Sequence, residues 1–491
     1  MAIENFEQCL TRLMKKYNTN YSELSRKLNY SSKNTLYRIL NGESGEKSRN
    51  KVFSDIAESI EIDFSTDDIR DLEQSLSVSS VGSDKYQAVA EMRNLLLKKD
   101  KILPKITLND VYNARETSLY EFTQSIINNK NEIIILNCNW HQVSSCMKEL
   151  LTVSEISKLT QYMLLTEKSV DIVRQIESVL EIINFPNYNS YSIDKKYISR
   201  DTEDEFSHNL IVIRSTEKSG KIHNFSVILH NDHSGILKHE NCDYYSYWEK
   251  RGTLVKDGSI PIKINYSAKK SPEEYINFTE FYYQLEKDRN IYAYKPDIPF
   301  CYVNVPITKA ALLDGLKNIN DSEEYSLGFK KMIEKLEYIH SKRYENIFSK
   351  KKVTQHVLSE SAMKEFAHTG MLQDHFFIMR PYTVKERIEI LNNILFHIEN
   401  NPHFNIHLLK YDNIFLNLEA CYFEDIGVRF TPMSTNYDMR RDNAEAVVNH
   451  KTFTDLYKEL YIGVLLKKYV KPQSETVKFF RSLISELEDS L

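Results

Sequence analysis

The sequence is poor in glycine, proline and cysteine, and it has no long apolar run. Its 491 residues include 12 glycines and 11 prolines, which leaves little room for the glycine-built loops that cradle phosphate groups. The six cysteines are scattered without disulfide or zinc-site spacings, so we expect buried or reduced thiols. No stretch of about 18 apolar residues could cross a membrane, and the N-terminus lacks the basic-then-apolar pattern of a signal peptide. These absences predict a cytoplasmic protein with no membrane contact.

The motifs of the common enzymes are also missing. The sequence has no Gly-x-x-x-x-Gly-Lys loop, no Gly-x-Ser-x-Gly elbow and no His-Glu-x-x-His pair. His407-Leu-Leu-Lys410 has one residue too many for the His-x-Lys of phospholipase-like nucleases. We therefore predict a protein that is not an enzyme and has no cofactor.

Residues 21–42 contain two short amphipathic helical patterns joined by a polar turn. The apolar positions are Leu24 and Leu28 in the first pattern, then Leu36, Ile39 and Leu40 in the second. This spacing places each set on one helix face, so the two stripes can pack across the turn. Ser31 or Ser32 can cap the second helix, which then begins at about Lys33, and Gly42 suits the left-handed residue that closes a helix.

Two flanking patterns complete a small four-helix core. Their apolar residues are Phe6, Leu10, Leu13 and Met14 upstream, and Val52, Ile56, Ala57 and Ile60 downstream. The region resembles the lambda-repressor and Cro-like helix-turn-helix family over about the first 60 residues. Leu24 matches the buried leucine of that family's second helix, Leu36 matches an apolar residue of its recognition helix, and residues 38–42 resemble its helix-ending signature. Ser25 departs from the family, which usually has a tightly packed alanine there.

The resemblance implies an N-terminal domain that binds double-stranded DNA in a transcriptional regulator. Candidate base-reading residues are Lys33, Asn34 and Tyr37, candidate phosphate contacts are Lys27, Arg38 and Asn41, and Ser32 lies at the start of the same helix. Which group does which depends on the orientation of the helix. The other interpretation is a generic helical bundle used for protein contacts.

Charge and length agree with a DNA-binding domain on a larger body. Residues 1–60 carry ten Lys or Arg and seven Asp or Glu, a balance of +3, whereas the whole chain has a net charge of −5. Because Lys and Arg neutralise phosphates, the basic segment is where we expect DNA to bind. One short recognition helix touches few base pairs, so we predict a homodimer that binds two half-sites and responds to a small-molecule or protein effector.

Composition also predicts the domain boundaries. After Ile62 the chain becomes acidic and then rich in serine, which predicts a solvated linker. A helical pattern follows at residues 85–99. The predicted organisation is a multidomain chain: an all-α helix-turn-helix domain at 1–65, a linker and connecting helix at 66–100, and α/β lobes at 101–290 and 291–491 for sensing and dimerisation.

The larger part alternates apolar runs with amphipathic patterns. Strands are predicted at residues 132–138, 209–214 and 225–230, and helices at 169–183, 272–286, 327–339, 384–398 and 452–466. This mixture predicts an α+β or α/β region with helix-covered mixed sheets.

An internal repeat is visible within this part. Residues 162–170 parallel 376–384 at an offset of 214, and residues 184–189 parallel 400–405 at an offset of 216. Strand-like runs follow at 190–193 and 406–410, then at 210–214 and 420–423. Each copy reads as strand, helix and returning strand, which predicts two related lobes. Alternatively, helix, Asn, Pro and aromatic residue are simply a common way to end a helix before a strand.

Two further interpretations stay open at this point. Six potential ligands lie within 20 residues, namely His223, His230, Asp232, His233, His239 and Cys242, but the segment also matches an ordinary hairpin turn, so no metal site is assigned. The competing function is an effector enzyme, such as a defence nuclease or hydrolase, that uses the N-terminal domain for targeting or autoregulation.

Overall fold

A computed structural model describes most of the chain, which divides into two units, residues 1–91 and 92–491. The described residues are 4–97 apart from positions 31, 42, 44, 60 and 63, then 125–136, 155–183, 187–193, 209–229, 235–240, 245–250, 259–264, 272–295, 298–317, 323–372, 379–410, 418–432 and 445–491.

The described part of the first unit is helical. Its helices are α1 (Phe6–Lys16), α2 (Tyr21–Lys27), α3 (Asn34–Leu40), α4 (Glu46–Glu58), α5 (Thr66–Val81) and α6 (Ser83–Leu97), the last of which continues past residue 91. The first five helices share one apolar core, whose buried members include Phe6, Leu10, Leu13, Met14, Leu24, Leu28, Leu36, Ile39, Val52, Ile56 and Leu72. The predicted inward faces of the four short helices are therefore confirmed at these positions. Ala57 is exposed instead, and Ile60 lies outside the described residues.

The predicted solvated linker is wrong over most of its length, because Thr66–Val81 is a 16-residue helix that belongs to the first unit. The Ser65 hydroxyl accepts a hydrogen bond from the Asp68 N–H, and the Asp68 side chain bonds back to Ser65, which forms a capping box. Leu72 of this helix is fully buried in the apolar core to which α1 also contributes. The composition misleads here because the acidic residues cap the helix and the serines lie within it.

The described part of the second unit contains two seven-stranded mixed sheets. The first is built from β1 (Lys130–Leu136), β2 (Glu155–Leu164), β3 (Tyr188–Ile193), β4 (Asn209–Thr216), β5 (Ile222–Leu229), β6 (Gly235–Glu240) and β7 (Ser259–Pro261). The second is built from β8 (Lys263–Ile264), β9 (Ile291–Tyr294), β10 (Thr354–Leu358), β11 (Phe404–Leu408), β12 (Leu418–Phe423), β13 (Gly427–Pro432) and β14 (Glu445–Val448).

Helices connect and cover these strands. They are α7 (Ser169–Ile182), α8 (Pro272–Glu286), α9 (Val305–Lys317), α10 (Glu323–Ile347), α11 (Glu360–Thr369), α12 (Val384–Asn400), α13 (Lys451–Lys458), a π-helix (Glu459–Tyr469) and α14 (Gln473–Glu488). The helices predicted at 169–183, 272–286, 327–339, 384–398 and 452–466 and the strands predicted at 132–138, 209–214 and 225–230 each overlap a described element, although α10 extends from Glu323 to Ile347 and the last predicted helix covers α13 and part of the π-helix. The chain is thus a multidomain α+β protein. Among the described residues, every helix is too short or too polar to cross a lipid bilayer.

Six of the seven strands have the same order and directions in the two sheets, whereas the seventh differs, because β7 pairs with β3 in the first sheet and β8 pairs with β14 in the second. In the first, β1, β2 and β3 are parallel neighbours, and β4, β5 and β6 follow antiparallel on the other side of β1. In the second, β9, β10 and β11 are the parallel neighbours, and β12, β13 and β14 are the antiparallel ones. Helix α7 joins β2 to β3, and α12 precedes β11 in the same way. Two regions of one topology are what an internal repeat predicts.

The second half of the predicted repeat alignment, which matches residues 184–189 with 400–405, agrees with the structure. The first half, which matches 162–170 with 376–384, does not align the equivalent strands. Strands β3 and β11 begin at Tyr188 and Phe404, both fully buried, at the predicted offset of 216. In the second sheet, however, the strand that corresponds to β2 is β10, at Thr354–Leu358, which pairs in parallel with β11. Helix α11 lies between β10 and α12, so this strand stands earlier in the chain than the alignment predicts. Residues 376–378 of the aligned stretch lie outside the described residues.

The crossing between the sheets lies at Ile262 rather than at the predicted lobe boundary near residue 290. The Ile262 N–H donates to the Ser190 carbonyl at 2.9 Å on the first sheet, and the Ile262 carbonyl accepts from the Val447 N–H at 2.8 Å on the second. Helix α8, which precedes that boundary, packs in the core of the second sheet through Ile276 and Leu285. The second sheet therefore gains a strand and a helix from the predicted first lobe.

Candidate nucleic-acid interface

Hydrogen bonds at both ends of helix α2 fix its length. The Asn20 side chain accepts hydrogen bonds from the N–H groups of Ser22 and Glu23, each at 3.0 Å. At the other end Asn29 has a φ of +55°, and the Tyr30 N–H donates to the Ser25 carbonyl at 2.8 Å. This is a Schellman ending with asparagine in the left-handed position, and it turns the chain sharply toward α3.

Helix α3 begins one residue later than predicted, at Asn34. The N-cap is Lys33 rather than Ser32, and it makes no side-chain capping bond, although the Ser32 hydroxyl accepts a hydrogen bond from the Asn34 N–H at 3.2 Å. At the C-terminal end the Glu43 N–H donates to the Arg38 carbonyl at 2.8 Å. Ser31, Gly42 and the side chain of Leu40 lie outside the described residues.

One side of α3 is buried in the apolar core of the first unit. Leu36 and Ile39 are fully buried, in the same apolar core as Leu24 and Leu28 of the preceding helix. Helices α2 and α3, joined by a short turn, thus each contribute apolar side chains to one core. The inner face of α3 thus fixes which residues can face outward.

Six of the seven predicted DNA-contacting residues lie on the exposed side. The exposed residues are Ser32, Lys33, Asn34, Tyr37, Arg38 and Asn41. Asn34, Tyr37, Arg38 and Asn41 follow helical spacing, so they share one face. Tyr37 is 55% exposed, a large fraction for a tyrosine. The seventh, Lys27, is half-buried on α2, with its Nζ 3.9 Å from a carboxylate oxygen of Glu23.

The structure adds two residues that the sequence did not single out. Tyr21, the first residue of α2, meets Tyr37 edge to face, with ring centroids 6.3 Å apart. Thr35 is exposed between Asn34 and the buried Leu36. The signal for Tyr21 was its place directly after the capping residue Asn20, which puts it at the end of α2 that reaches α3.

Ion pairs of the first unit hold its body together rather than covering α3. The Arg49 Nε lies 2.7 Å from Glu7, which joins α4 to α1, and the Lys16 Nζ lies 2.8 Å from Asp68, which joins α1 to α5. Within the described residues, neither Lys33 nor Arg38 forms an ion pair. Two cations on an open helix face are available for phosphate oxygens.

Ser25 is buried, as the alanine of the resembled family is, but it carries a hydroxyl. It is 4% exposed, and its Oγ has no hydrogen-bond partner among the described residues. Serine is small enough to fit this site between the helices. The cost is a desolvated hydroxyl that no bond compensates.

The histidine cluster is only partly described. His223 lies in β5, 2.8 Å from Glu217, and His239 lies in β6. His230, Asp232, His233 and Cys242 are outside the described residues. Among the residues that are described, no three His, Cys, Asp or Glu side chains converge as metal ligands. Cys9, Cys301 and Cys421 are buried free thiols, and the other three cysteines lie outside the described residues.

Comparison of the chain with models of known protein families gives no match, and comparison with curated proteins gives no significant match.

Proposed function

We propose that the chain is a sequence-specific DNA-binding transcriptional regulator whose helix α3 enters the major groove. One observation carries the proposal: Leu36 and Ile39 anchor one side of a short helix in the core, while Asn34 and Tyr37 are exposed on that helix and Lys33 is exposed at its N-cap. A major groove about 12 Å wide admits one helix with such side chains.

The chemistry of the exposed face suits both parts of DNA recognition. Asparagine can bond an adenine edge with two hydrogen bonds, and lysine can bond a guanine edge. Arg38 and Asn41 lie further along α3, where they suit phosphate oxygens and would fix the helix in the groove. Lys33 and Asn34 are accordingly the proposed base-reading residues, together with Tyr37.

The length of α3 argues for a dimer. Its seven residues span about 10 Å, which covers roughly three base pairs. Roughly three base pairs are too few to specify one site in a genome, so two copies of the chain must bind half-sites about 34 Å apart. In this proposal the second unit supplies the pairing, and an effector acts by favouring one arrangement of the two first units over another.

The proposal is tested by fluorescence anisotropy with duplex DNA from the region flanking the gene, across a range of salt concentrations. We expect sequence-selective binding that weakens steeply as salt increases, because phosphate contacts release counterions. The double variant Lys33→Ala, Arg38→Ala should bind at least tenfold more weakly. A matched control is Lys15→Ala, which removes an exposed lysine from α1.

Two results would contradict the proposal. Undetectable binding at low salt would remove DNA as the partner and favour a helical bundle for protein contacts. Equal losses for Lys15→Ala and the double variant would mean that α3 is not the contact surface. Cleavage of the labelled DNA would instead identify the protein as an effector nuclease.

A further inference from the structure

Helix α3 carries one aromatic residue, Tyr37, and its side chain is open to solvent. The residue is 55% exposed. Its N–H donates to the Lys33 carbonyl at 3.0 Å, so Tyr37 lies one helical turn after Lys33. Single exposed apolar residues are common on protein surfaces. Tyr37 differs from them because its ring is also held in place.

The contact that holds the ring comes from the preceding helix. Tyr21 of α2 meets Tyr37 edge to face, with ring centroids 6.3 Å apart. Helices α2 and α3 are fixed to each other below this pair, because Leu24 and Leu36 are buried in the same core. A ring that is already oriented loses little conformational freedom when a partner binds. Tyr37 is therefore a preorganised apolar surface.

The geometry of a helix places this surface beside Asn34. Side chains on a helix lean toward its N-terminus, so Tyr37 covers the turn that contains Lys33 and Asn34. Residues three apart are neighbours on a helix surface, with Cβ atoms about 5–6 Å apart. An aromatic ring and a side-chain amide are thus presented next to each other on the exposed face of α3.

The surroundings of the ring are polar and cationic. Helix α3 contains Arg38 and no acidic residue, and Lys33 is its N-cap. The nearest carboxylates in the sequence, Glu23 and Glu43, lie on α2 and beyond the end of α3. An aromatic surface flanked by cations suits a partner that carries an apolar group on a polyanion.

Duplex DNA has such a group in its major groove. The 5-methyl group of thymine lies there, whereas the other recognition groups of the bases are hydrogen-bond donors and acceptors. In an A·T pair this methyl group is on the same groove edge as the adenine N6 and N7 atoms, which are the atoms that an asparagine bonds. Asn34 and Tyr37 together match the two halves of that edge.

We propose that the Tyr37 ring contacts the 5-methyl group of one thymine in each half-site, in the base pair that Asn34 reads or in the next one. The spacing of the two side chains, about 5–6 Å, is less than two base-pair steps of about 3.4 Å. The inference rests on the proposed DNA-binding function and deepens it. It identifies the partner as duplex DNA that carries a C5-methylated pyrimidine at one defined position.

Replacing thymine by deoxyuridine tests this contact, because deoxyuridine pairs with adenine in the same way and lacks only the methyl group. The probe is the duplex that the full-length protein selects from a random pool, with one thymine replaced at a time. Fluorescence anisotropy measures the dissociation constant. We expect one position in each half-site where the replacement weakens binding about three- to fivefold, the value of one methyl contact. Other positions should change less than twofold.

Variants of Tyr37 assign the methyl effect to the ring. Tyr37→Phe keeps the ring, so it should retain the penalty for deoxyuridine. Tyr37→Ala should bind the thymine and deoxyuridine duplexes equally. Arg38→Ala is the matched control on the same helix, because it should weaken binding to both duplexes and leave their ratio unchanged. The ratio compares two duplexes on one protein, so partial loss of folded protein does not change it.

Two results would overturn the inference and leave the proposed regulator function standing. Sequence-selective binding with no penalty for deoxyuridine at any position would show that no methyl group is read. An equal penalty in the unaltered protein and in Tyr37→Ala would assign the effect to another residue or to DNA shape. In contrast, the absence of binding to every duplex at low salt would contradict the proposed function itself, and this inference with it.

Discussion

Tyr21 and Tyr37 meet edge to face between α2 and α3, with ring centroids 6.3 Å apart and ring planes at 73°. Tyr21 is 37% exposed and Tyr37 is 55% exposed, so the pair lies at the surface rather than in the core. Edge-to-face aromatic pairs contribute about 0.5 to 1.5 kcal/mol. The contact orients the side chain of Tyr37, the largest exposed side chain of α3, before any partner binds.

Tyr21→Ala should therefore weaken DNA binding without unfolding the protein. Losing the orienting contact should raise the dissociation constant about two- to tenfold, equivalent to about 0.5 to 1.5 kcal/mol. Fluorescence anisotropy measures the change. The control is Tyr338→Ala, which removes a 65% exposed tyrosine from α10. A larger loss for the control would mean that Tyr21 does not position Tyr37.

Ser25→Ala should stabilise the first unit. The buried Ser25 hydroxyl has no partner among the described residues, and alanine also has the higher helix propensity. We expect the free energy of unfolding to increase by about 1 to 2 kcal/mol. Chemical denaturation followed by circular dichroism measures it. Ser22→Ala, at an exposed position of the same helix, controls for propensity alone, and an equal gain there would show that burial of the hydroxyl costs nothing.

The stability of the first unit should decrease in acid because of Asp68. Burial by itself raises the pKa of this carboxyl, but hydrogen bonds from Lys16, Tyr17 and Ser65 outweigh it and hold the pKa well below its ordinary value. The stabilisation is therefore fully present above the unfolded pKa of about 3.9, and it is lost as the pH falls through the acidic range below that value.

Asp68→Asn measures this contribution. At pH 7 the variant should lose about 2 kcal/mol of unfolding free energy, and the difference from the unaltered protein should shrink toward pH 3. The control is Asp67→Asn, since the Asp67 side chain is 87% exposed and its pair with Arg70 contributes little. A constant difference at all pH values would contradict the ionisation argument.

The extent of the first unit can be tested by truncation. A fragment of residues 1–91 should unfold cooperatively and bind DNA weakly as a monomer. A fragment of residues 1–65 lacks α5, so it leaves the face of α1 that packs on Leu72 in water. We expect it to show no cooperative thermal transition by circular dichroism. The same melting midpoint for both fragments would show that α5 is not part of the fold.

Local patterns predicted the short helices α1 to α4 well because their signals are local. The apolar spacing of Leu24, Leu28, Leu36 and Ile39 is enough to define two packed faces, and Ser32 lies within two residues of the start of α3. Helix α5 was not predicted because Asp68 was interpreted as a solvated acidic residue. In the structure Asp68 is buried and accepts hydrogen bonds from Lys16 and Tyr17, which lie far from it in the sequence. Composition does not show such partners.

The larger part shows the same division. Its strands and helices follow from apolar runs, and the repeat was visible where Tyr188 and Phe404 begin equivalent strands. The sequence could not show that β10 pairs like β2, because α11 separates it from α12 in one copy alone. A small cavity on the second sheet was also missed, since its lining residues Lys295, His356 and Glu419 lie in or beside three strands that are far apart in the chain and meet through sheet pairing.

Selection of preferred duplexes from a random DNA pool, carried out with the unaltered protein and with Asn34→Ala, tests the central claim most directly. We predict enrichment of an inverted repeat whose half-sites are centred about 10 base pairs apart, with Asn34→Ala losing preference at one position in each half. Absence of any enriched sequence, or an identical motif when Lys33, Asn34 and Tyr37 are all replaced by alanine, would contradict it.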